Sequence, residues 1–334
     1  MLYICRRKSF GNKVRFIDLF AGIGGIRLPF DELGYQCVFS SEWDAAAQDT
    51  YEANFGERPF GDITKIDAAE IPPHDLLLAG FPCQAFSIMG KKMGFEDTRG
   101  TMFFEVARIL RYHMPKVVLL ENVKNLTTHD GGRTFAVIKQ TLTDIGYHLK
   151  WKVLNALDFG LPQKRERIII VGFLDVHMSQ AFSLDFEKKN IHLAVFWRMT
   201  KTLNPACSLL TPLFQKRRRK TEGKDVFYPS VWHENKSGNI SVLDHSCALR
   251  TGASYNYLLI NGIRRPSSRE LLRFQGFPDT FKIVVSHSEI RRQTGNSVAV
   301  PMIRAIAQRI DKVIKSKGDA ATAPETARSA QIAC

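Results

Sequence analysis

Three short stretches hold residues that could act together on an electron-poor ring. Cys83 lies in Gly80-Phe81-Pro82-Cys83-Gln84, directly after the apolar run Leu76 to Ala79. Glu121 follows a second apolar run, Val117 to Leu120, and opens Glu121-Asn122-Val123. Arg165 and Arg167 flank Glu166 immediately before Ile168 to Val171. A thiol of ordinary pKa, about 8.5, is only a few per cent thiolate at neutral pH, so a nucleophilic cysteine needs a shaped setting. A carboxyl and a guanidinium can stabilise the charge that such an attack places on the ring. Each residue alone has a structural explanation: a buried thiol, a helix-capping acid, surface partners of Glu166. Their joint placement at strand edges points to chemistry.

A second group reads as a small-molecule site. Asp18-Leu19-Phe20-Ala21-Gly22-Ile23-Gly24-Gly25 is a strand, a glycine turn and a helix start. Glycines let backbone N–H groups approach a ligand closely. The spacing is neither that of a phosphate loop nor the Gly-x-Gly-x-x-Gly of a dinucleotide oxidoreductase. Glu42-Trp43 closes the next strand; an acid there can hold ribose hydroxyls, and the indole offers a stacking face. Asp62 in Gly61-Asp62-Ile63-Thr64 could accept from an adenine amino group, or simply cap a turn. Together these three suggest an adenosine-containing cofactor without phosphates.

The elements that must position these residues alternate. Strands are expected at 14–19, 36–40, 76–79, 116–121, 149–155 and 167–173, and helices at 24–33, 44–54, 101–112 and 133–145. This alternation predicts an α/β fold with a mostly parallel sheet covered on both faces. In such sheets ligands bind beyond the carboxyl ends of the strands. The pattern lapses over 175–265, which contains the basic run Lys216 to Lys220. Residues 301–314 then read as an amphipathic helix opening on proline. The expected division is a catalytic domain from 1–173 and 291–316, an irregular second domain at 174–290, and a disordered tail at 317–334.

The 334 residues carry 47 Lys and Arg against 33 Asp and Glu, a net charge of +14 that favours a polyanionic partner. The six cysteines are scattered without Cys-x-x-Cys or zinc-like histidine spacing, which argues for a reducing compartment and against structural metal. Apolar runs are too short to span a bilayer, and the first residues lack a signal-peptide core. The expectation is a cytoplasmic, nucleoid-associated protein without a membrane partner.

The chain resembles the bacterial DNA (cytosine-5)-methyltransferases of type II restriction–modification systems. The resemblance rests on Asp18 to Gly25, Glu42-Trp43, Asp62, Gly80 to Gln84 with Phe86-Ser87, Glu121-Asn122-Val123 and Gln163-x-Arg165-x-Arg167. It continues through Arg269 to Pro278 and Gln293-Thr294-Gly295-Asn296-Ser297-Val298. These come in the family order over most of the chain. The family's variable target-recognition segment falls at 175–265. One departure is Ala248-Leu249, where the family often has Thr-Leu.

That resemblance implies a Rossmann-like methyltransferase domain, with S-adenosylmethionine held by Phe20, Ala21, Gly22, Gly24, Glu42, Trp43, Asp62, Ile63, Pro82, Asn296 and Ser297. It implies covalent attack by Cys83 on cytosine C6, Glu121 at N3 and the exocyclic amine, and Arg165, with Arg167 nearby, at O2. The target base must leave the stack to be reached. The partner is double-stranded DNA, bound by a monomer without an obligate protein partner. Gln84 and Ser87 are expected to touch DNA, and Arg250, Thr251, Ser254 and Asn256 to read bases. An RNA methyltransferase on the same fold and a non-enzymatic DNA-binding relative remain alternatives at this stage.

Overall fold

The computed structural model describes residues 13–82, 102–189, 193, 219–235, 237–252 and 257–322. Six strands form the main sheet: β1 (Arg15–Leu19), β2 (Gln36–Ser41), β3 (Leu76–Ala79), β4 (Val117–Val123), β5 (His148–Asn155) and β7 (Glu166–Phe173). A two-residue strand, β6 (Gln163–Lys164), precedes β7. The sheet order is β2-β1-β3-β4-β7-β5. Strands β2, β1, β3 and β4 run parallel, and β7 is antiparallel to both of its neighbours. The reversal matters. Residues 165–167 stand at the start of β7 and would sit at the amino edge if that strand were parallel. Because it is antiparallel, its beginning lies beside the carboxyl end of β4, where Glu121 is.

Period-two alternation splits the sheet's side chains between two cores. Phe16, Leu76, Leu78, Val117, Leu119, Ile169 and Val171 face one side. Ile17, Leu19, Leu77, Ala79, Val118, Leu120, Ile168 and Ile170 face the other. All four residues of β3 are fully buried, and each leucine there contributes about 1.5–3 kcal/mol of hydrophobic stabilisation. Helices α3 (Met102–His113) and α4 (Arg133–Ile145) cover the second face through Val106, Ile109, Leu110, Ile138 and Leu142. On the first face lie α1 (Arg27–Glu32), α5 (Val176–Ala181) and the last helix, α8 (Val300–Thr322), through Phe30, Met178, Met302, Ile303, Ile306 and Ile310. The C-terminal helix thus packs on the first half of the chain. It also continues to Thr322, so the opening residues of the expected tail are helical. Met178, Phe182 and Leu184 join the first core as well, although they fall within the segment expected to form the second domain.

The described part of the recognition segment is more regular than its sequence suggests. Strands β8 (Val231–Glu234), β9 (Ile240–Leu243) and β11 (Leu258–Ile260) form a small antiparallel sheet with β8 in the middle. The short β10 (Ser246–Cys247) leaves it to pair in parallel with β6. Helices α6 (Ser268–Gln275) and α7 (His287–Asn296) follow. The first opens on a capping box, Ser267 with Glu270, and closes on Gly276 in the left-handed region. Among the described residues, no helix is long and apolar enough to cross a membrane. Nor, among them, does any group of three or more His, Cys, Asp or Glu come together to hold a metal ion.

Candidate active site

A cavity of about 390 Å³ opens at the carboxyl edge of the sheet, within the ~300–1,000 Å³ usual for small-molecule sites. It lies where the strand order reverses, between β1 and β3, as expected of doubly wound sheets. One wall is the turn after β1. Phe20 adopts a positive φ of 55° there, a conformation that costs a non-glycine residue roughly 1 kcal/mol or more and is typical of built sites. Gly24 follows with φ +79°, and a Cβ at that position would stand 2.2 Å from the Phe55 ring, so only glycine fits. Glu42 locks the turn to the end of β2. Its carboxylate accepts from Gly22 N at 2.8 Å and Asp44 N at 2.9 Å. Trp43 keeps 65% of its surface exposed while lining the cavity. Asp62 caps a short turn by accepting from Thr64 N at 3.0 Å, beside the buried Ile63. Asn296 and Ser297 close this part, and the Ser297 hydroxyl is buried without a hydrogen-bond partner among the described residues.

The other wall carries the acid and the base. Val123 pairs with Arg167 and Glu121 with Ile169 across the β4–β7 ladder. Glu121 and Arg167 are therefore diagonal neighbours on one face, a geometry in which long side chains meet. Their ion pair measures 2.9 Å, and both are nearly buried. Burial raises the Glu121 carboxyl above its ordinary range, against the pull of Arg167 and Arg165. Glu166 points to the opposite face and pairs with Lys124 at 3.0 Å. The Arg-x-Arg spacing is thus a strand device that sends both guanidiniums to one side.

The two arginines are not equivalent. Arg165 is 1% exposed. Its Nη1 donates to Leu249 O at 3.1 Å, and its Nη2 to Gly295 O at 3.0 Å and to Ser297 O. Its Nε has no partner among the described residues. Burial, then the neighbouring Arg167, lower its pKa to about 9, so it stays protonated at neutral pH. The group expected at a substrate carbonyl has two of its three nitrogens on backbone carbonyls, whereas Arg167 stands against Glu121.

Pro82 lines the cavity, and Cys83 is the next residue in sequence; Cys83, Gln84 and Ser87 lie outside the described residues. Asn122 holds the approach, donating from Nδ2 to Phe81 O at 2.8 Å. It was not singled out by sequence reasoning, although its place between Glu121 and Val123 is a signal for it. Arg292 was also missed. It lines the cavity and ties α7 to Asp44, the N-cap of helix α2 (Ala45–Phe55), at 2.6 Å. Cys37 and Cys247 are free thiols that burial pushes up to about 12 and about 11.

Of the expected base readers, Ser254 and Asn256 lie outside the described residues. Arg250 is exposed, 5.3 Å over the Tyr257 ring, and its Nη2 meets His233 Nε2 at 3.2 Å. The backbone of Thr251 packs against Gly295. Lys220, expected to face phosphates or solvent, donates to Gly238 O at 2.9 Å and approaches Glu234 at 3.6 Å.

A doubly wound sheet with a glycine turn after its first strand, an acid closing its second and a buried carboxyl–guanidinium pair beyond β4, all lining one cavity at its carboxyl edge, has the architecture of a Rossmann-like methyltransferase. The C-5 cytosine-specific DNA methylase family matches residues 14–312, and the chain belongs to it. It is 56% identical to the type II methyltransferase M.HaeII of Haemophilus aegyptius over 296 residues, covering 87% of this chain and 91% of that one. It is 41% identical to the type II methyltransferase M.HhaI of Haemophilus parahaemolyticus, covering 91% and 96%. Among solved structures it resembles the Entamoeba histolytica methyltransferase EhMeth, with a TM-score of 0.70 at 18% identity, covering 90% of this chain and 99% of that one. That likeness bears on the fold. The chain is a DNA (cytosine-5)-methyltransferase, and its substrate is DNA.

Proposed function

We propose that this enzyme methylates C5 of a cytosine turned out of a specific short duplex sequence, through a covalent bond between Cys83 and C6. The observation that carries the reading is the buried Glu121–Arg167 pair, 2.9 Å apart, in the cavity that the segment entering Cys83 also lines. Burial holds the Glu121 carboxyl above its ordinary range, which favours its carrying the proton that passes to a ring nitrogen. The high pKa values of Cys37 and Cys247 leave them almost without thiolate.

The cofactor wall fits S-adenosylmethionine: an exposed indole for the adenine, the Glu42 carboxylate for the ribose, Asp62 for the amino group, and the unpartnered Ser297 hydroxyl. When bound, this cofactor supplies an electrophilic sulfonium methyl group. The protein's residues do the rest. Cys83 thiolate adds to C6 while the Glu121 carboxyl gives its proton to N3, so C5 becomes nucleophilic. Arg167 stabilises the charge on the ring and on Glu121, a role better suited to it than to Arg165. After C5 is methylated, its proton passes to water, the Cys83–C6 bond breaks, and the N3 proton returns to Glu121.

Extraction of the base costs a few kcal/mol, offset by contacts from the recognition segment and by the net positive charge. The enzyme acts as a monomer on cytoplasmic DNA and protects host sequences from a cognate endonuclease. Bisulfite sequencing of DNA from cells expressing the protein is the test. It should show methylcytosine at one short motif, and the absence of any methylated motif would overturn the reading.

A further inference from the structure

Three buried side chains join the DNA-reading segment to the cofactor wall. Gln163 and Gln275 are 0% exposed and Arg165 is 1% exposed. Leu249, in the recognition segment, has both backbone groups held by two of them. Its N–H donates to Gln163 Oε1 at 3.3 Å, and its carbonyl accepts from Arg165 Nη1 at 3.1 Å. The same guanidinium holds the Gly295 and Ser297 carbonyls, which flank Asn296 in the cavity wall. Gln163 Nε2 donates to Phe274 O at 2.6 Å and contacts Gln275 Oε1 at 3.3 Å. Gln275 Nε2 then donates to Thr294 O at 2.5 Å. At Gly295 a Cβ would stand 2.7 Å from Thr251 N, so the two loops also touch directly.

A joint that only had to hold would do as well with apolar packing, since burying a guanidinium is costly. What a guanidinium adds is direction. One rigid planar group bonded to both loops transmits the displacement of either to the other. We propose that Gln163, Arg165 and Gln275 are positioning residues that couple DNA binding by the recognition segment to cofactor binding at the Asn296–Ser297 wall. By linkage the effect is reciprocal: cofactor tightens DNA and DNA tightens cofactor by one factor. The proposal rests on the cofactor and DNA reading above.

The test measures binding, not turnover. S-adenosylhomocysteine is the probe, with a short fluorescein-labelled duplex carrying the methylated motif. Duplex affinity is measured by anisotropy with and without the probe for wild type, Arg165→Lys, Gln163→Glu and Leu142→Ala. The last truncates the core under α4 and controls for lost stability, which thermal unfolding monitors. The wild type should bind duplex about 5–150-fold tighter with the probe, the usual span of such coupling. Arg165→Lys and Gln163→Glu should reduce that factor to less than about a third of the wild-type value, and Leu142→Ala should keep it. Unchanged coupling in both hub variants would overturn the proposal, as would an equal loss in Leu142→Ala or no coupling in the wild type. Failure of the wild type to bind the probe at all would overturn the cofactor reading too, whereas binding with unaltered coupling overturns the hub alone.

Discussion

The cavity and the small recognition sheet treat charge in opposite ways. Around the cavity, Asp18 and Glu121 are buried, and burial holds both carboxyls above their ordinary range. On the recognition sheet the charged groups reach the surface: Arg250 lies exposed over Tyr257, and Lys220 spans the β8–β9 turn. Chemistry on a ring needs charge desolvated and fixed by a rigid sheet, where electrostatic effects are strong. Reading a sequence needs side chains that can reach base edges. In the function proposed above, one fold serves both by keeping the first at strand ends and the second on a separate small sheet.

The largest effect should come from the cavity. Glu121→Gln keeps the shape and the contact with Arg167 but cannot give a proton to N3. It should slow the chemical step by about 10²–10³-fold and change duplex affinity far less. Single-turnover kinetics beside anisotropy separate the two, and equal losses would make Glu121 structural.

On the recognition side, Arg250→Ala should cost about 1–3 kcal/mol in DNA binding and relax the choice of base at one position. A library of duplexes reads this directly. An equal loss across all sequences would make Arg250 a phosphate contact and blur the division between the regions.

Much of the cavity was legible because each chemical residue borders an apolar run, and strand ends are where such sheets place their ligands. Of the residues expected to hold a cofactor, Phe20, Ala21, Gly22, Glu42, Trp43, Asp62, Ile63, Pro82, Asn296 and Ser297 line one cavity, and Gly24 is not among its lining residues. The split between Arg165 and Arg167 was not legible, since sequence cannot show that β7 runs backwards or that Leu249 and Gly295 carbonyls converge on one guanidinium. The recognition sheet was hidden for a related reason. Strands of three or four residues leave too few alternations to register, and β8 pairs with residues as far away as Ile260.

A smaller effect concerns pH. Among the described residues neither Asp18 carboxylate oxygen has a hydrogen-bond partner, and burial raises its pKa well above the ordinary value. The folded chain therefore keeps this proton to higher pH than the unfolded chain does. Burial of the ionised form is unfavourable, so stability is highest below the ordinary carboxyl value and falls as pH rises through the raised one. Asp18→Asn cannot ionise, so its thermal midpoint should gain on the wild type's as pH rises. A difference constant across pH would contradict the assignment. Smallest of all should be Lys220→Ala, whose exposed pair with Glu234 is worth under about 1 kcal/mol. Duplex affinity should stay within a few-fold; a large, salt-dependent loss would return Lys220 to the phosphate-binding set.

The central claim is that Cys83 bonds to C6 of the target cytosine. Duplex carrying 5-fluorocytosine at the methylated position traps that bond, because fluorine cannot leave C5 as a proton does. Incubated with S-adenosylmethionine, the wild type should form an adduct that survives denaturing electrophoresis and maps by mass to Cys83, and Cys83→Ser should form none. An adduct on Cys37, Cys207 or Cys247, or methylation by Cys83→Ser within tenfold of wild type, would contradict the account.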